Sequence, residues 1–374
     1  MRCGAIVSAS TEIADVLCQP AAVAGLQLAS RIVMAPMSRY FCPDGVPHAG
    51  VAEYYARRAV AGVGLIISEG TYIGHPSAPS YDGVPYFSGA GLDGWSVVRE
   101  AVHAAGGKMF PQLWHTGSFR QSWMGPQPGM PALGPSENTN AFTGHPEPTR
   151  SMTEREISDV IAAYADAAGA AQRLGFDGIE LHAGHGYLID EFLWSATNRR
   201  SDRYGGDRRQ RTRFAVETIG AIRARVGPDF PVSFRFSQWK QQDYKARLAD
   251  TPSELAEILE PLVDAGVSIF HCSTRRVWEA GFPEHGELTL AGWTRKLSGL
   301  PVIAVGGVGL DRPGLNNASA APLDDIAPAL NRGDFDLLAV GRALLADSQW
   351  ALKIRDGRGR EAIGYDKTFL ETLY

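Results

Sequence analysis

The sequence predicts an α/β fold, a single-domain (β/α)8 TIM barrel, and two observations carry that expectation. Eight short apolar runs recur along 374 residues, at 31–36, 63–70, 108–115, 178–184, 231–237, 267–273, 301–307 and 336–342, most of them bounded by Gly or Pro. Segments with helical periodicity lie between them. Near-continuous apolar strands alternating with helices are the pattern of a parallel sheet covered on its faces. Eight such units suit a closed barrel better than an open doubly wound sheet.

Taken in order, helices are expected over 51–62, 92–106, 153–175, 208–227 and 251–266. Thr153 followed by Glu156 is a capping-box signal, and several of these segments end on the Gly that helix C-termini favour. Two stretches break the repeat. One, 116–152, is rich in Gly and Pro with little periodicity; the other, 274–300, carries Arg275, Arg276, Trp278 and Trp293. Both follow strand C-terminal ends, where barrel enzymes build their sites, and both are read as active-site excursions. The expected organisation is an N-terminal lead over 1–25, a barrel over 26–355 and a C-terminal tail over 356–374.

A net charge of −5, with no long run of Lys and Arg, provides no electrostatic reason for nucleic acid or an anionic membrane as partner. Cys3, Cys18, Cys42 and Cys272 share no CxxC spacing and are too sparse for a disulfide scaffold, so reduced thiols and a cytoplasmic location are expected. The first residues are too interrupted for a signal peptide, and no apolar run is long enough to cross a membrane.

Polar residues collect at the predicted strand ends: Ser38, Glu69, Gln112, His115, His182, His185, Tyr187, Arg235, His271, Gly306, Gly307, Gly341 and Arg342. In a barrel these converge on one mouth. Glycines after the seventh and eighth strands let backbone N–H groups approach a phosphate, with Arg342 adding a fixed charge; they are equally the glycines that simply end strands. Arg235 shares one strand face with Ser233 and Ser237, and needs either an ion-pair partner inside the barrel or a ligand with negative charge or carbonyl oxygens. Gln112 offers donor and acceptor together, suited to an amide-like ring edge. Two histidines and a tyrosine within six residues, His182, His185 and Tyr187, supply two imidazole donors and a weak acid at one place.

The blocks "RIVMAPMSR", "FPQLWHTG", "GFDGIELHAGHGYLIDEFLWSATNRRSDRYGG", "FRFS" and "LLAVGRALLAD" resemble the Old Yellow Enzyme family, in order from about Leu28 to Asp347. The resemblance implies a barrel that holds FMN without a covalent link, takes reducing equivalents from NADPH or NADH, and reduces a small-molecule alkene activated by a carbonyl or nitro group. It places Pro36, Met37, Ser38, Gly70, Gln112 and His182 at the flavin, Arg235 at its pyrimidine edge, and Gly306, Gly307, Gly341 and Arg342 at its phosphate. It further implies that His182 and His185 hold the activating oxygen, that Tyr187 donates the proton, and that Trp114 stands beside the substrate. Ser38 departs from the Thr or Cys common at that position. Residues 239–250, 274–300 and the two termini match nothing that carries over.

Other readings stay open on the residues alone: another FMN barrel dehydrogenase, a metal-dependent barrel hydrolase using His182 and His185 with Glu69 or His271, or a non-catalytic flavin carrier. No metal is expected from the resemblance. The physiological substrate, the choice between NADPH and NADH, and monomer against homodimer are not legible.

Overall fold

The structure, a computed structural model, describes residues 9–123, 127–140, 148–312 and 316–374. Eight parallel strands close into a barrel: β1 (Ile32–Met34), β2 (Leu65–Tyr72), β3 (Lys108–Trp114), β4 (Ile179–His182), β5 (Val232–Ser237), β6 (Ile269–Ser273), β7 (Val302–Val305) and β8 (Leu337–Val340). Every strand lies inside one of the eight apolar runs or within two residues of it. Closure is made by β8 on β1, with Ala339 opposite Val33. Seven crossover helices cover the outside: α1 (Ala49–Val60), α2 (Gly91–Ala104), α3 (Glu154–Arg173), α4 (Arg213–Val226), α5 (Pro252–Ala265), α6 (Leu290–Ser298) and α7 (Ala327–Arg332).

Local chemistry sets the helix ends. Thr153 and Glu156 form the expected capping box, each side chain bonded to the other's backbone N–H. Thr251 and Thr289 cap α5 and α6 by accepting from Glu254 N and Gly292 N. Helix α6 corrects one expectation, because it makes the second half of 274–300 an ordinary crossover and not an active-site excursion. It has nine residues with Gly292 near its start, where a side chain would collide with Asp334, so it shows too little periodicity to be read in advance.

The barrel interior is filled by Val33, Leu65, Ile67, Phe110, Ile269, Ile303 and Leu337, and it is plugged by Ala21, Val23, Leu26 and Leu28 of a short hairpin. Burying each large aliphatic side chain contributes about 1.5–3 kcal/mol. The hairpin, with Ala24 and Gly25 at positive φ in its turn, straddles the boundary expected between lead and barrel. Arg58 of α1 is fully buried and donates to the carbonyls of Tyr54, Leu344, Leu345 and Tyr374, tying the first crossover to the helix after β8 and to the tail. Residues 1–8 of the lead and 124–126 and 141–147 of the 116–152 stretch lie outside the described residues; the described part of that stretch carries a small three-stranded sheet. Among the described residues no helix is long and apolar enough to cross a membrane.

Candidate active site

A cavity of about 350 Å³ opens at the C-terminal ends of the strands. Its wall takes in Pro36 and Met37 after β1, Arg235 of β5, Ser273, Thr274 and Arg275 at the end of β6, Gly306 and Gly307 after β7, and Gly341 and Arg342 after β8. His185, Trp239, Gln241 and Tyr244 also line it. Ser38, Gly70, Gln112, Trp114, His182 and Tyr187 are not part of this wall, although His182 packs on His185 and Tyr187 is bonded to Gln241, both of which are. A Cβ at Gly70 would stand 2.7 Å from the Trp114 ring and 3.4 Å from Gln112 Oε1, so a side chain there would displace Trp114.

Strand register explains how the polar groups meet. Gln112 and Ser233 lie opposite Glu180 on either side, and Arg235 lies opposite both His182 and His271. Glu180 accepts from Gln112 Nε2 at 2.9 Å, from Ser233 Oγ at 2.9 Å and from His271 Nδ1 at 2.7 Å. Burial pushes the Glu180 carboxyl up, but His271, Arg235 and Ser233 outweigh it and keep it ionised. Burial also lowers His271, leaving a neutral imidazole whose Nδ1–H serves that carboxylate. One layer up, Arg235 Nε and His182 Nδ1 are buried with no partner. Buried polar atoms of this kind need a partner, and Arg235 lines the cavity, where a ligand's acceptors would meet it.

The turn "HAGHGY" is held in a conformation that few residues adopt. His185 has φ 65° and Gly186 φ 89°. The His182 and His185 rings are 5.0 Å apart and perpendicular, and the Tyr187 ring lies 4.8 Å from those of Trp114, Phe119 and His182. His185 Nε2 meets Ser273 Oγ at 2.8 Å while Trp239 stacks on its ring at 4.4 Å. Burial holds both imidazoles well below the usual histidine range, with Arg235 adding to the effect, so both are neutral at neutral pH. Burial lifts the Tyr187 phenol well above its ordinary value, and the phenol stays protonated.

Three residues expected at the mouth serve elsewhere. His115 is buried between Ser77 Oγ and Gly117 N, where it pins the loop after β3. Glu69 accepts from Arg39 N, and burial raises its carboxyl to about 7. His271 belongs to Glu180. Among the described residues, no three His, Cys, Asp or Glu side chains converge as a metal shell requires, so His182 and His185 find no third ligand in Glu69 or His271. Arg342 lines the cavity while donating to Arg312 O at 2.7 Å and Asn316 O at 3.4 Å.

The family model described as NADH:flavin oxidoreductase / NADH oxidase matches residues 16–361. The chain belongs to this family. An NADH oxidase of Thermoanaerobacter brockii is 35% identical over 354 residues, which are 91% of this chain and 50% of that protein. The chain therefore spans about half the length of that relative. A chanoclavine-I aldehyde reductase of Penicillium roqueforti is 31% identical over 363 residues, covering 95% of this chain and 92% of that one. Solved structures agree: morphinone reductase in complex with tetrahydroNAD superposes with TM-score 0.78 at 28% identity, covering 95% of this chain and 93% of that chain. The old yellow enzyme homologue from Zymomonas mobilis gives 0.78 at 27%, covering 96% of each. The Old Yellow Enzyme resemblance is thereby established, and with it membership of a family of oxidoreductases that use FMN and a nicotinamide reductant.

The residues present fit FMN. Arg235, in the cavity wall, has no protein partner at Nε, and neither has His182 Nδ1 behind it. A Cβ at Gly306 would stand 2.6 Å from Thr274 O, and one at Gly307 3.2 Å from Arg275 O, so both glycines pack too closely on the end of β6 to carry a side chain, and both line the cavity. Glycine also accommodates their φ of 154° and 68°.

Proposed function

We propose that this protein is an ene-reductase, acting on alkenes conjugated to a carbonyl or nitro group. Gly306, Gly307, Gly341 and Arg342 would hold the FMN phosphate, Pro36, Met37, Ser38 and Gly70 its ring system, Gln112 and Arg235 its pyrimidine edge. FMN, when bound, supplies the hydride that reaches the substrate's β-carbon, drawn from NADPH or NADH. The observation that carries the reading is the packing of the His185 and Tyr187 rings on His182, at 5.0 and 4.8 Å, behind the part of the cavity wall that His185 forms, with burial keeping the imidazoles neutral and the phenol protonated.

Each group then has a definable part. As the alkene is reduced, negative charge develops on its activating oxygen, and imidazole N–H donors from His182 and His185 bind that oxygen more tightly as the charge grows. If Ser273 donates to His185 Nε2, the other ring nitrogen carries the proton. Tyr187 gives its proton to the α-carbon, a role its protonated state at neutral pH permits. Trp114 lies edge-on against Tyr187, where it would stand beside the substrate.

The test separates anchoring from proton delivery. A phenol should bind the oxidised holoenzyme as phenolate and give a long-wavelength absorbance band. His182→Ala or His185→Ala should weaken that band and lower kcat/KM for an enone about 10²–10³-fold. Tyr187→Phe should keep the band and the reduction by nicotinamide while enone reduction slows. The reading fails if both histidine variants bind phenols normally, or if Tyr187→Phe reduces the enone at wild-type speed.

A further inference from the structure

The loop after β5 is joined to the turn carrying His185 and Tyr187 at several points. Lys240 Nζ lies 2.7 Å from Asp190 Oδ1 and 3.0 Å from Ser237 O, with both charged side chains wholly buried. The second Asp190 oxygen accepts from Gly186 N at 2.7 Å. Gln241 N donates to His185 O at 3.2 Å. His185 N donates to Ser237 Oγ at 2.9 Å, and that hydroxyl donates to Trp239 O. A shift of Gln241 relative to Tyr187 would break several of these bonds together.

At the end of this frame, Gln241 Nε2 donates to Tyr187 Oη at 2.7 Å. An oxygen that accepts from an amide must direct its own hydrogen elsewhere. Among the described residues no acceptor takes that hydrogen, and Gln241 itself lines the cavity. Resting on the proton-donor reading of Tyr187, we infer that Gln241 is a positioning residue for that step. Its amide turns the phenol O–H toward the substrate and stabilises the charge left on Oη. In the step itself the O–H bond breaks, a C–H bond forms at the α-carbon anion, and the phenolate keeps the electron pair until water reprotonates it.

The surroundings make the amide consequential. Tyr81, Tyr40 and Tyr72 face Tyr187 and disfavour a phenolate, as burial does; Gln241 opposes them. His182 beside the ring and His185 beyond it are neutral, and the Lys240 charge is matched by Asp190. Arg235 is the nearby cation, and its charge is shared with Glu180.

Stopped-flow enone reduction by the reduced holoenzyme tests the inference. Gln241→Leu should slow the wild type about 10- to 100-fold, the worth of one hydrogen bond to a charged group, and should have no further effect in a Tyr187→Phe background. Gln241→Glu adds a readout that a purely structural role would not move. While protonated, the introduced carboxyl donates as the amide does; once ionised it only accepts and repels the phenolate. Its rate should therefore fall as pH rises through that carboxyl's pKa, on a descending limb absent from the wild type. Equal losses from Gln241→Leu in both backgrounds, or a Gln241→Glu profile parallel to the wild type, would overturn the inference alone. Wild-type enone reduction by Tyr187→Phe would instead remove the proton-donor reading, and this inference with it.

Discussion

Arg235 shows how a single residue takes its properties from its neighbours. Its guanidinium is almost completely buried on β5, with Glu180 nearby but no hydrogen-bond partner at Nε. An ionised Glu180 shared among Gln112, Ser233 and His271 offsets that charge only in part. Positive charge therefore remains beside the proposed flavin edge. We predict that Arg235→Ala lowers the reduction potential of bound FMN, read by spectroelectrochemical titration; an unchanged or raised potential would remove Arg235 from that place. Sequence reasoning reached Arg235 because a guanidinium among phenylalanines is conspicuous. It passed over Glu180, although the signal was present: Glu180 and His182 are two apart and share a strand face. It also could not foresee Gln241, Ser273 or Trp239, because their partners are 54, 88 and 54 residues away.

Among the elements, the loop after β5 depends on an ion pair. Lys240 and Asp190 have no exposed side-chain surface, and burial pulls Lys240 down and pushes Asp190 up. Removing one member of such a pair strands the other, at a cost of about 3–5 kcal/mol. Lys240→Met should destabilise the fold by that order in urea titration. Lys240→Met with Asp190→Asn should recover much of the loss, because the amide oxygen can still accept from Gly186 N. If the double variant is no more stable than Lys240→Met, stranded charge is not the cause. The long helices were legible because they are amphipathic over several turns, as α3 and α5 are. Helices α6 and α7 and the helices at 188–193, 342–346 and 350–355 were not, since elements of nine residues or fewer owe their form to packing on the barrel and not to periodicity.

The whole molecule carries a pH dependence that follows from burial. Glu191, in the helix Leu188–Leu193, is held beneath Ser118, and burial raises its carboxyl from 4.5 to about 8. Between those pH values the folded chain keeps a proton that the unfolded chain has lost, so stability falls as pH rises and the loss is complete above about 8. Glu191→Gln removes this titration. Its Tm relative to wild type should climb from about pH 5 to about pH 8 and then level off; parallel curves for the two proteins would show that Glu191 does not contribute.

What the sequence determined by itself was the barrel, through eight apolar runs, and part of the cavity wall at its mouth, Pro36, Met37, His185, Arg235 and the glycines with Arg342 after the last two strands, because strand periodicity and strand ends are local properties. Only the tertiary structure decided how those residues divide. His115, Glu69 and His271 point in the sequence to the same mouth as His185 and Arg235, yet each is held by a partner elsewhere: Ser77, Arg39 and Glu180. A carboxylate or imidazole does not record locally whether it will meet a ligand or a buried neighbour. Register between strands and the loops laid across their ends settle that, since buried polar groups take the partners that chain closure brings within reach.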